Sequence, residues 1–333
     1  MKKLRGILLI IVLPLAFAFT DHPAKKSKKI SDPQKFWVDS VFNSLNDEQR
    51  IAQLFMVAAY SNKGLKHVKE IKELITKYNI GGLIWMQGGP MRQGQLADYY
   101  QRIAKTPLLY GIDGEWGLAM RLDSTPRYPK QMTLGAIQND SLIYKMGRQI
   151  GRECRRLGIH INFAPVADVN NNPLNPVIGI RSFGENKFKV ATKAMHYMKG
   201  LQDEYIMANA KHFPGHGDTD SDSHKKLPQI THSRERLDTL ELYPFKYLFE
   251  NDLKSVMVAH LNVPSLDTSQ NLPSTLSPII VNNLLKKELG LQKFVNSNKL
   301  YLTNEVVHKI FIGLADVRIE DLRDQVGRSE ERR

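Results

Sequence analysis

Residues 206–228 of this chain read I-M-A-N-A-K-H-F-P-G-H-G-D-T-D-S-D-S-H-K-K-L-P, an apolar run that passes directly into a polar loop. The run Ile206–His212 has the length and composition of a buried strand. The proline and glycines that follow it exclude a helix. Polar side chains gathered at the carboxyl end of a strand are typical of parallel α/β folds with a functional site at that end.

Five other apolar runs alternate along the chain with stretches of helical length. The runs are Gln53–Tyr60, Ile80–Met86, Pro107–Asp113, Ile161–Asp168 and Ser255–Leu261. Apolar residues recur at three- and four-residue spacing in the stretches Lys66–Lys77, Gln93–Lys105, Asp140–Leu157, Lys187–Glu204 and Ser233–Asn251. This alternation predicts βαβ units and a parallel sheet.

Polar residues at the ends of these runs favour a closed barrel. Asp113, Asp168, His212 and His260 lie at or just beyond such ends, which is where barrel active sites are built. The alternative, a doubly wound sheet, usually carries a glycine-rich phosphate loop after its first strand. Residues 56–61 (M-V-A-A-Y-S) are not such a loop. We therefore predict an α/β fold, a TIM-like (β/α)8 barrel.

The N-terminal residues are typical of a secretory signal. Lys2, Lys3 and Arg5 precede the apolar run 6–19, which is shorter than the roughly 20 residues of a membrane-spanning helix. We predict a signal peptide over residues 1–20, a linker over 21–35, and a secreted or periplasmic protein with no stable membrane insertion after cleavage. An uncleaved N-terminal anchor is the alternative.

The basic charge of the chain does not indicate nucleic-acid binding. The formal net charge is +13, but seven basic residues fall within the first 29 positions and the others are interleaved with acids. The sequence contains no basic helix with interleaved aromatic residues, so no nucleic-acid partner is predicted. Cys154 is the only cysteine, which excludes an internal disulfide.

The loop that follows residue 212 suits acid/base chemistry better than metal binding. The four-residue gap between His212 and His216 makes a metal pair only on a helix, which the proline and glycines exclude. Asp222 and His224 are two residues apart and project to the same side of an extended segment. The carboxylate would orient the imidazole and raise its pKa, so that His224 could donate and accept a proton. A solvated loop capped by aspartates is the alternative.

The stretch Lys211–Pro228 closely resembles the signature of glycoside hydrolase family 3, in its β-N-acetylglucosaminidase branch. The resemblance implies that His224 is the catalytic acid/base and that Asp222 orients it. In the β-glucosidase branch, a glutamate from a separate domain has that role. The resemblance also implies that Lys211 and His212 bind sugar hydroxyls, without a cofactor or a metal ion.

Other segments resemble motifs of the same family, and the resemblance extends over about residues 36–290. The segments are 111–117 (G-I-D-G-E-W-G), 162–169 (N-F-A-P-V-A-D-V), 181–184 (R-S-F-G) and 256–260 (V-M-V-A-H). They imply that Asp113, Arg121 and Arg181 hold the sugar. The alternatives are a loop cap for Asp113 and an ion-pair partner at the barrel rim for Arg181, while Asp168 is interpreted as structural.

The family pattern breaks after Gly290. Family members continue with a strand that ends in Thr-Asp or Ser-Asp, and that aspartate is the nucleophile. The nearest match here, Leu300–Asn304, ends in asparagine, which has no anionic oxygen, and Glu305 comes one residue later. The pattern does not settle a seventh strand and shows no eighth, so incomplete or altered C-terminal strands are predicted over 291–333. We expect an altered reading frame from about residue 291 and a longer natural protein.

The reaction that the resemblance implies is removal of a terminal β-linked N-acetylglucosamine with retention of configuration. The substrate would be a carbohydrate, either a peptidoglycan fragment or a chitin-derived sugar. Two alternatives stay open, a β-glucosidase on the same barrel and a sugar-binding barrel that lacks the nucleophile. The sequence does not indicate an oligomeric state.

Overall fold

The computed structural model describes residues 33–220, 227–291 and 293–297. The chain divides after Asn43 into two compact units. The described part of the first unit is one helix, α1 (Pro33–Asn43), which begins within the last residues of the predicted linker. The predicted signal peptide, residues 1–20, lies outside the described residues. Within the described ranges, no helix has the length and apolar character needed to cross a bilayer.

The second unit contains a sheet of seven strands, and each strand pairs in parallel with the next one along the chain. The strands are β1 (Met56–Ala59), β2 (Gly82–Trp85), β3 (Leu109–Ile112), β4 (Ile161–Asn162), β5 (Met207–Phe213), β6 (Ser255–Val258) and β7 (Phe294–Ser297). Each of the six apolar runs coincides with one strand, and β5 ends one residue beyond its run, so those predictions are confirmed.

Helices lie in all five predicted stretches. They are α3 (Leu65–Glu73), α4 (Pro90–Ile103), α6 (Ser141–Arg156), α7 (Lys187–Gln202), α8 (Arg234–Thr239) and α9 (Tyr243–Glu250). Two short helices lie outside those stretches, α2 (Asp47–Ala52), which precedes β1, and α5 (Gln131–Gly135), between β3 and β4. Helical turns with wider hydrogen-bond spacing cover Leu74–Tyr78 and Ile279–Glu288. Helices α6 and α7 can pack closely because Gly200 has no side chain. A Cβ at that position would lie 2.4 Å from the carbonyl oxygen of Tyr144.

The strand order confirms the TIM-like α/β class. A doubly wound sheet reverses its strand order at a switch point, whereas this sheet runs from β1 to β7 without reversal. Its two faces belong to separate apolar clusters. Leu83 and Trp85 of β2 pack in the cluster shared with the helices, while Ile84 packs with Ile161 and Met257 on the other face. That division is expected of a curved sheet with helices outside.

The C-terminal side of the sheet is incomplete within the described residues. A seventh strand is present, and it pairs with β6 from Ser255↔Phe294 to Val258↔Ser297. This strand lies ahead of Leu300–Asn304, which is outside the described residues. In the described part of the chain there is no eighth strand, and β7 does not pair with β1. This arrangement agrees with the prediction of incomplete or altered C-terminal strands.

Candidate active site

Strand β5 brings two adjacent residues into one polar site. Lys211 pairs with Met257 of β6 and Phe213 pairs with Val258, so the ladder skips His212. Such an irregularity re-aims side chains that would otherwise alternate between the two faces. Lys211 is 2% exposed and His212 is 6% exposed. Both predicted sugar-binding residues of this strand are therefore buried beside charged partners.

The loop after β3 is held in place by residues from neighbouring elements. Asn162 of β4 accepts a hydrogen bond from the backbone N–H of Gly114 at 2.9 Å. Tyr197 of α7 donates from its hydroxyl to the carbonyl oxygen of Gly114, also at 2.9 Å. These two contacts fix the backbone between Asp113 and Glu115, and they direct both carboxylates towards β5.

Lys211 lies between those two carboxylates. Its Nζ is 2.9 Å from Oδ1 of Asp113 and 2.8 Å from Oε1 of Glu115. Arg121 contacts the other oxygen of Asp113 at 2.5 Å, and Nη2 of Arg181 lies 2.7 Å from Oε1 of Glu115. These five residues form one continuous set of ion pairs, the ion network.

Burial and charge pairing act in opposite directions on the pKa values of this ion network. Burial alone would raise the pKa of Asp113, but Lys211 and Arg121 hold it below its ordinary value. Burial would also raise the pKa of Glu115, but Lys211 and Arg181 hold it well below its ordinary value. Both carboxylates are therefore ionised at neutral pH and can accept hydrogen bonds.

Asp168, beyond β4, orders the backbone and the imidazole that follow β5. It is fully buried, and its Oδ2 accepts a hydrogen bond from Nδ1 of His212 at 2.7 Å. Its Oδ1 accepts from the backbone N–H of His216, also at 2.7 Å. Burial would raise the pKa of Asp168, but His212 and these hydrogen bonds lower it. The interpretation of Asp168 as a structural residue fits these contacts.

The imidazole of His212 is neutral, with its proton on Nδ1. Burial lowers its pKa to about 4, and the opposing effect of Asp168 is smaller. Asp168 can only accept a hydrogen bond and Arg181 can only donate one. Nε2 of His212, which lies 3.4 Å from Nη2 of Arg181, is therefore the acceptor. The close His212–Asp168 contact is a hydrogen bond of a neutral ring rather than an ion pair.

The structure brings together all five residues that the sequence assigns to sugar binding: Asp113, Arg121, Arg181, Lys211 and His212. Their role in binding sugar stays a prediction. The predicted catalytic pair, Asp222 and His224, lies outside the described residues, and so does Asn304. His260 hydrogen-bonds Thr275 through Nδ1 at 2.8 Å.

Sequence reasoning missed Glu115. It is 1% exposed and receives both Lys211 and two nitrogens of Arg181, at 3.0 Å from Nε and 2.7 Å from Nη2. One signal was available, because Glu115 follows Asp113 by two residues and can project to the same side of an extended backbone. The pairing of Glu115 with Arg181 could not be predicted, because the two residues are 66 positions apart and no local pattern links them.

The sequence is similar to a known protein family and to characterised relatives. Residues 47–314 match the family model described as "Glycosyl hydrolase family 3 N terminal domain". The chain is 35% identical over 246 residues to Beta-hexosaminidase A of Pseudoalteromonas piscicida. The alignment covers 67% of this chain and 41% of that protein. It is also 33% identical over 244 residues to Beta-hexosaminidase LpqI of Mycobacterium tuberculosis. This alignment covers 72% of this chain and 61% of that protein.

A solved structure gives a similar result. The chain matches a glycoside hydrolase family 3 beta-N-acetylglucosaminidase from Paenibacillus sp. str. FPU-7 with a TM-score of 0.72 and 33% identity. The match covers 85% of this chain and 61% of that one. The chain thus spans between 41% and 61% of the length of these three proteins.

Proposed function

Because this chain belongs to glycosyl hydrolase family 3, we propose that it is the barrel of a β-N-acetylglucosaminidase. The reaction is removal of a terminal β-linked N-acetylglucosamine with retention of configuration. The observation that carries the proposal is the ion network at the carboxyl end of the sheet, with Lys211 at its centre. The names of the relatives, beta-hexosaminidase and beta-N-acetylglucosaminidase, support it.

The charge balance of the site suits a neutral sugar. Three cations, Arg121, Arg181 and Lys211, are matched by the three carboxylates of Asp113, Glu115 and Asp168. The neutral ring of His212 adds no charge. A sugar hydroxyl both donates and accepts hydrogen bonds, so it can use the ammonium, the guanidinium groups and the carboxylates together.

The acid/base step is assigned from the sequence motif. His224 protonates the glycosidic oxygen as the bond to the leaving group breaks, and it later takes a proton from the attacking water. Asp222 accepts the other ring N–H and fixes the orientation of the imidazole. Retaining glycosidases place acid/base and nucleophile roughly 5 Å apart. The sequence has Asn304 at the end of the segment most like the family's nucleophile strand, so the nucleophile is not assigned.

That asparagine supports a second candidate function, a barrel that binds N-acetylglucosamine without hydrolysing it. We also propose that the protein acts outside the cytoplasm, as the signal-like residues 1–20 suggest. Its substrates there would be peptidoglycan fragments or chitin-derived sugars.

The test compares hydrolysis of a chromogenic N-acetyl-β-glucosaminide with that of the matching β-glucoside. Turnover of the N-acetyl sugar, abolished in His224→Ala, supports the proposed reaction. Turnover of the β-glucoside alone contradicts it and supports the β-glucosidase alternative. Saturable binding of N-acetylglucosamine without turnover, lost in Asp113→Ala, supports the sugar-binding function. Absence of both binding and turnover contradicts both functions.

A further inference from the structure

A second polar cluster lies at the two ends of the loop that connects β5 to α8. Asp218 precedes the segment 219–231 and His232 follows it. Nε2 of His232 donates a hydrogen bond to Oδ2 of Asp218 at 2.6 Å. We call this contact the loop junction. Residues Asp222 and His224 belong to the segment that it spans in the sequence.

Three further polar side chains, Arg236, Asn171 and Glu241, surround the loop junction. Nη2 of Arg236 lies 3.6 Å from Oδ2 of Asp218 and 3.2 Å from Oε1 of Glu241. Nδ2 of Asn171 donates to the same two carboxylates, at 3.5 Å and 3.3 Å. Glu241 is only 2% exposed. Asp218 is therefore joined to the loop after β4 as well as to the start of α8.

The chain on either side of the loop junction is fixed independently. On the amino side, Gly217 approaches the carbonyl oxygen of Val169 so closely that a Cβ would lie 1.7 Å from it. On the carboxyl side, Ile230 donates to the carbonyl oxygen of Asn262, and Asn262 donates to that of Pro228, both at 2.9 Å. The first end is thus attached beside β4 and the second beside β6.

We propose that Asp218 and His232 are positioning residues for the acid/base pair, an inference that rests on the proposed function. Their hydrogen bond is a direct side-chain link between the two ends of the segment that carries Asp222 and His224. Joining the ends of a segment reduces the number of conformations open to it. A catalytic group needs that restriction, because a displacement of about 1 Å can cost a factor of about 100 in rate.

A divalent cation is the competing explanation of this cluster. Ligand atoms of Asp218, His232 and Glu241 lie within 4.8 Å of one another. Oε2 of Glu241 has no hydrogen-bond partner among the described residues. However, the guanidinium of Arg236 already lies against both carboxylates and supplies the positive charge that a cation would bring. We therefore favour the loop junction.

A double-mutant cycle on hydrolysis of the chromogenic N-acetyl-β-glucosaminide tests the proposal. Asp218→Asn and His232→Gln should each lower kcat by about tenfold to a hundredfold, with KM changed less than about twofold, because the ion network holds the sugar. The double variant should be no slower than the slower single variant, since each substitution breaks the same hydrogen bond between residues 218 and 232. Multiplying effects, or a change in KM alone, would overturn the proposal.

The substitutions are suited to this test. The side chains of His232 and Asp218 are 31% and 22% exposed, so neither change leaves a fully buried charge unpaired. Asp203→Asn is the matched control, because Asp203 accepts a 2.6 Å hydrogen bond from Tyr144 on the α6–α7 side of the barrel. That variant should hydrolyse the substrate at the unmutated rate, and an equal loss in the control would overturn the proposal.

Hydrogen–deuterium exchange separates this proposal from the proposed function. Amides of residues 219–227 should exchange faster in Asp218→Asn and His232→Gln, equally in both, and unchanged in Asp203→Asn. This result is readable even if the chain does not turn over, in which case only the proposed reaction fails. Unchanged exchange overturns the loop junction. Stoichiometric binding of zinc chloride in calorimetry, lost in both variants, also overturns it and assigns a metal site.

Discussion

The ion network and the loop junction lie at the same end of the sheet but are built differently. In the ion network, Lys211 is 2% exposed and each carboxylate has two cationic partners. In the loop junction, the joined side chains are 22% and 31% exposed. A buried charge that loses its partner is costly, while a partly exposed one is hydrated by water. Stability should therefore depend on the ion network and turnover on the loop junction.

The strongest test of this contrast is Lys211→Met. The change leaves the buried carboxylates of Asp113 and Glu115 facing each other without their shared cation. We expect the free energy of unfolding, measured by urea denaturation, to fall by about 3–5 kcal/mol. Lys193→Met is the control, since Lys193 is also buried (5% exposed) but pairs with one carboxylate, Asp140, which is 25% exposed. An equal loss of stability in both variants would show that the ion network has no special effect on stability.

Acid should destabilise the folded chain through His212, which lies beside the ion network. Burial holds its pKa at about 4 in the folded chain, against an ordinary value of 6.5. The unfolded chain therefore binds a proton in this interval that the folded chain does not, and stability falls as the pH falls from 6.5 to 4. The full difference corresponds to about 3 kcal/mol. Urea denaturation at several pH values measures it, and His212→Gln should flatten the slope. An unchanged slope in that variant would contradict the assignment.

Glu115→Gln tests the residue that the sequence did not reveal. Shape is kept, but the charged hydrogen bonds to Arg181 and Lys211 are weakened, so we expect a loss of about 2 kcal/mol in stability. Calorimetry with N-acetylglucosamine should show weaker binding, because both cations lose the group that orients them. Glu153→Gln, which affects a 2.7 Å hydrogen bond from Tyr128, is the control and should leave the affinity unchanged. Equal affinity in all three proteins would remove Glu115 from the site.

Gly217→Ala should have a moderate effect on stability and a clear one on turnover. The added Cβ would lie 1.7 Å from the carbonyl oxygen of Val169, so the backbone beside the loop junction must move. We expect a stability loss of about 1–3 kcal/mol and a lower kcat in the chromogenic assay. In Gly94→Ala on α4, the nearest atom is 3.8 Å away and stability should rise slightly. Normal turnover in Gly217→Ala would show that the loop tolerates displacement.

The positions of the strands and helices could be predicted because apolar periodicity is local. The deviations also have local causes. The run Ile161–Asp168 gives only the two-residue strand β4, since Pro165 has no N–H for a ladder. The predicted helix Ser233–Asn251 is divided into α8 and α9, with Pro244 in the first turn of α9, where proline is tolerated.

Most members of the site could be predicted, but Glu115 and the pairing could not. Asp113, Lys211 and Arg181 stand in recognisable motifs, whereas Lys211 contacts Asp113 across 98 residues and Arg181 contacts Glu115 across 66. The neutral state of His212 follows from burial beside Asp168 and Arg181, which requires the folded geometry. The seventh strand was not settled because a short strand followed by polar residues has too little periodicity to distinguish it from a loop.

The assembled state of the ion network has a consequence for selectivity. Lys211, Asp113 and Glu115 lose their water during folding, so a ligand does not have to dehydrate or reorient them. Together with Arg121, Arg181 and Asp168, their charges cancel, so the arrival of a neutral sugar should be insensitive to ionic strength. The site would then select against sugars that lack one hydroxyl. Such a sugar leaves a buried donor or acceptor with no partner and no water to replace it.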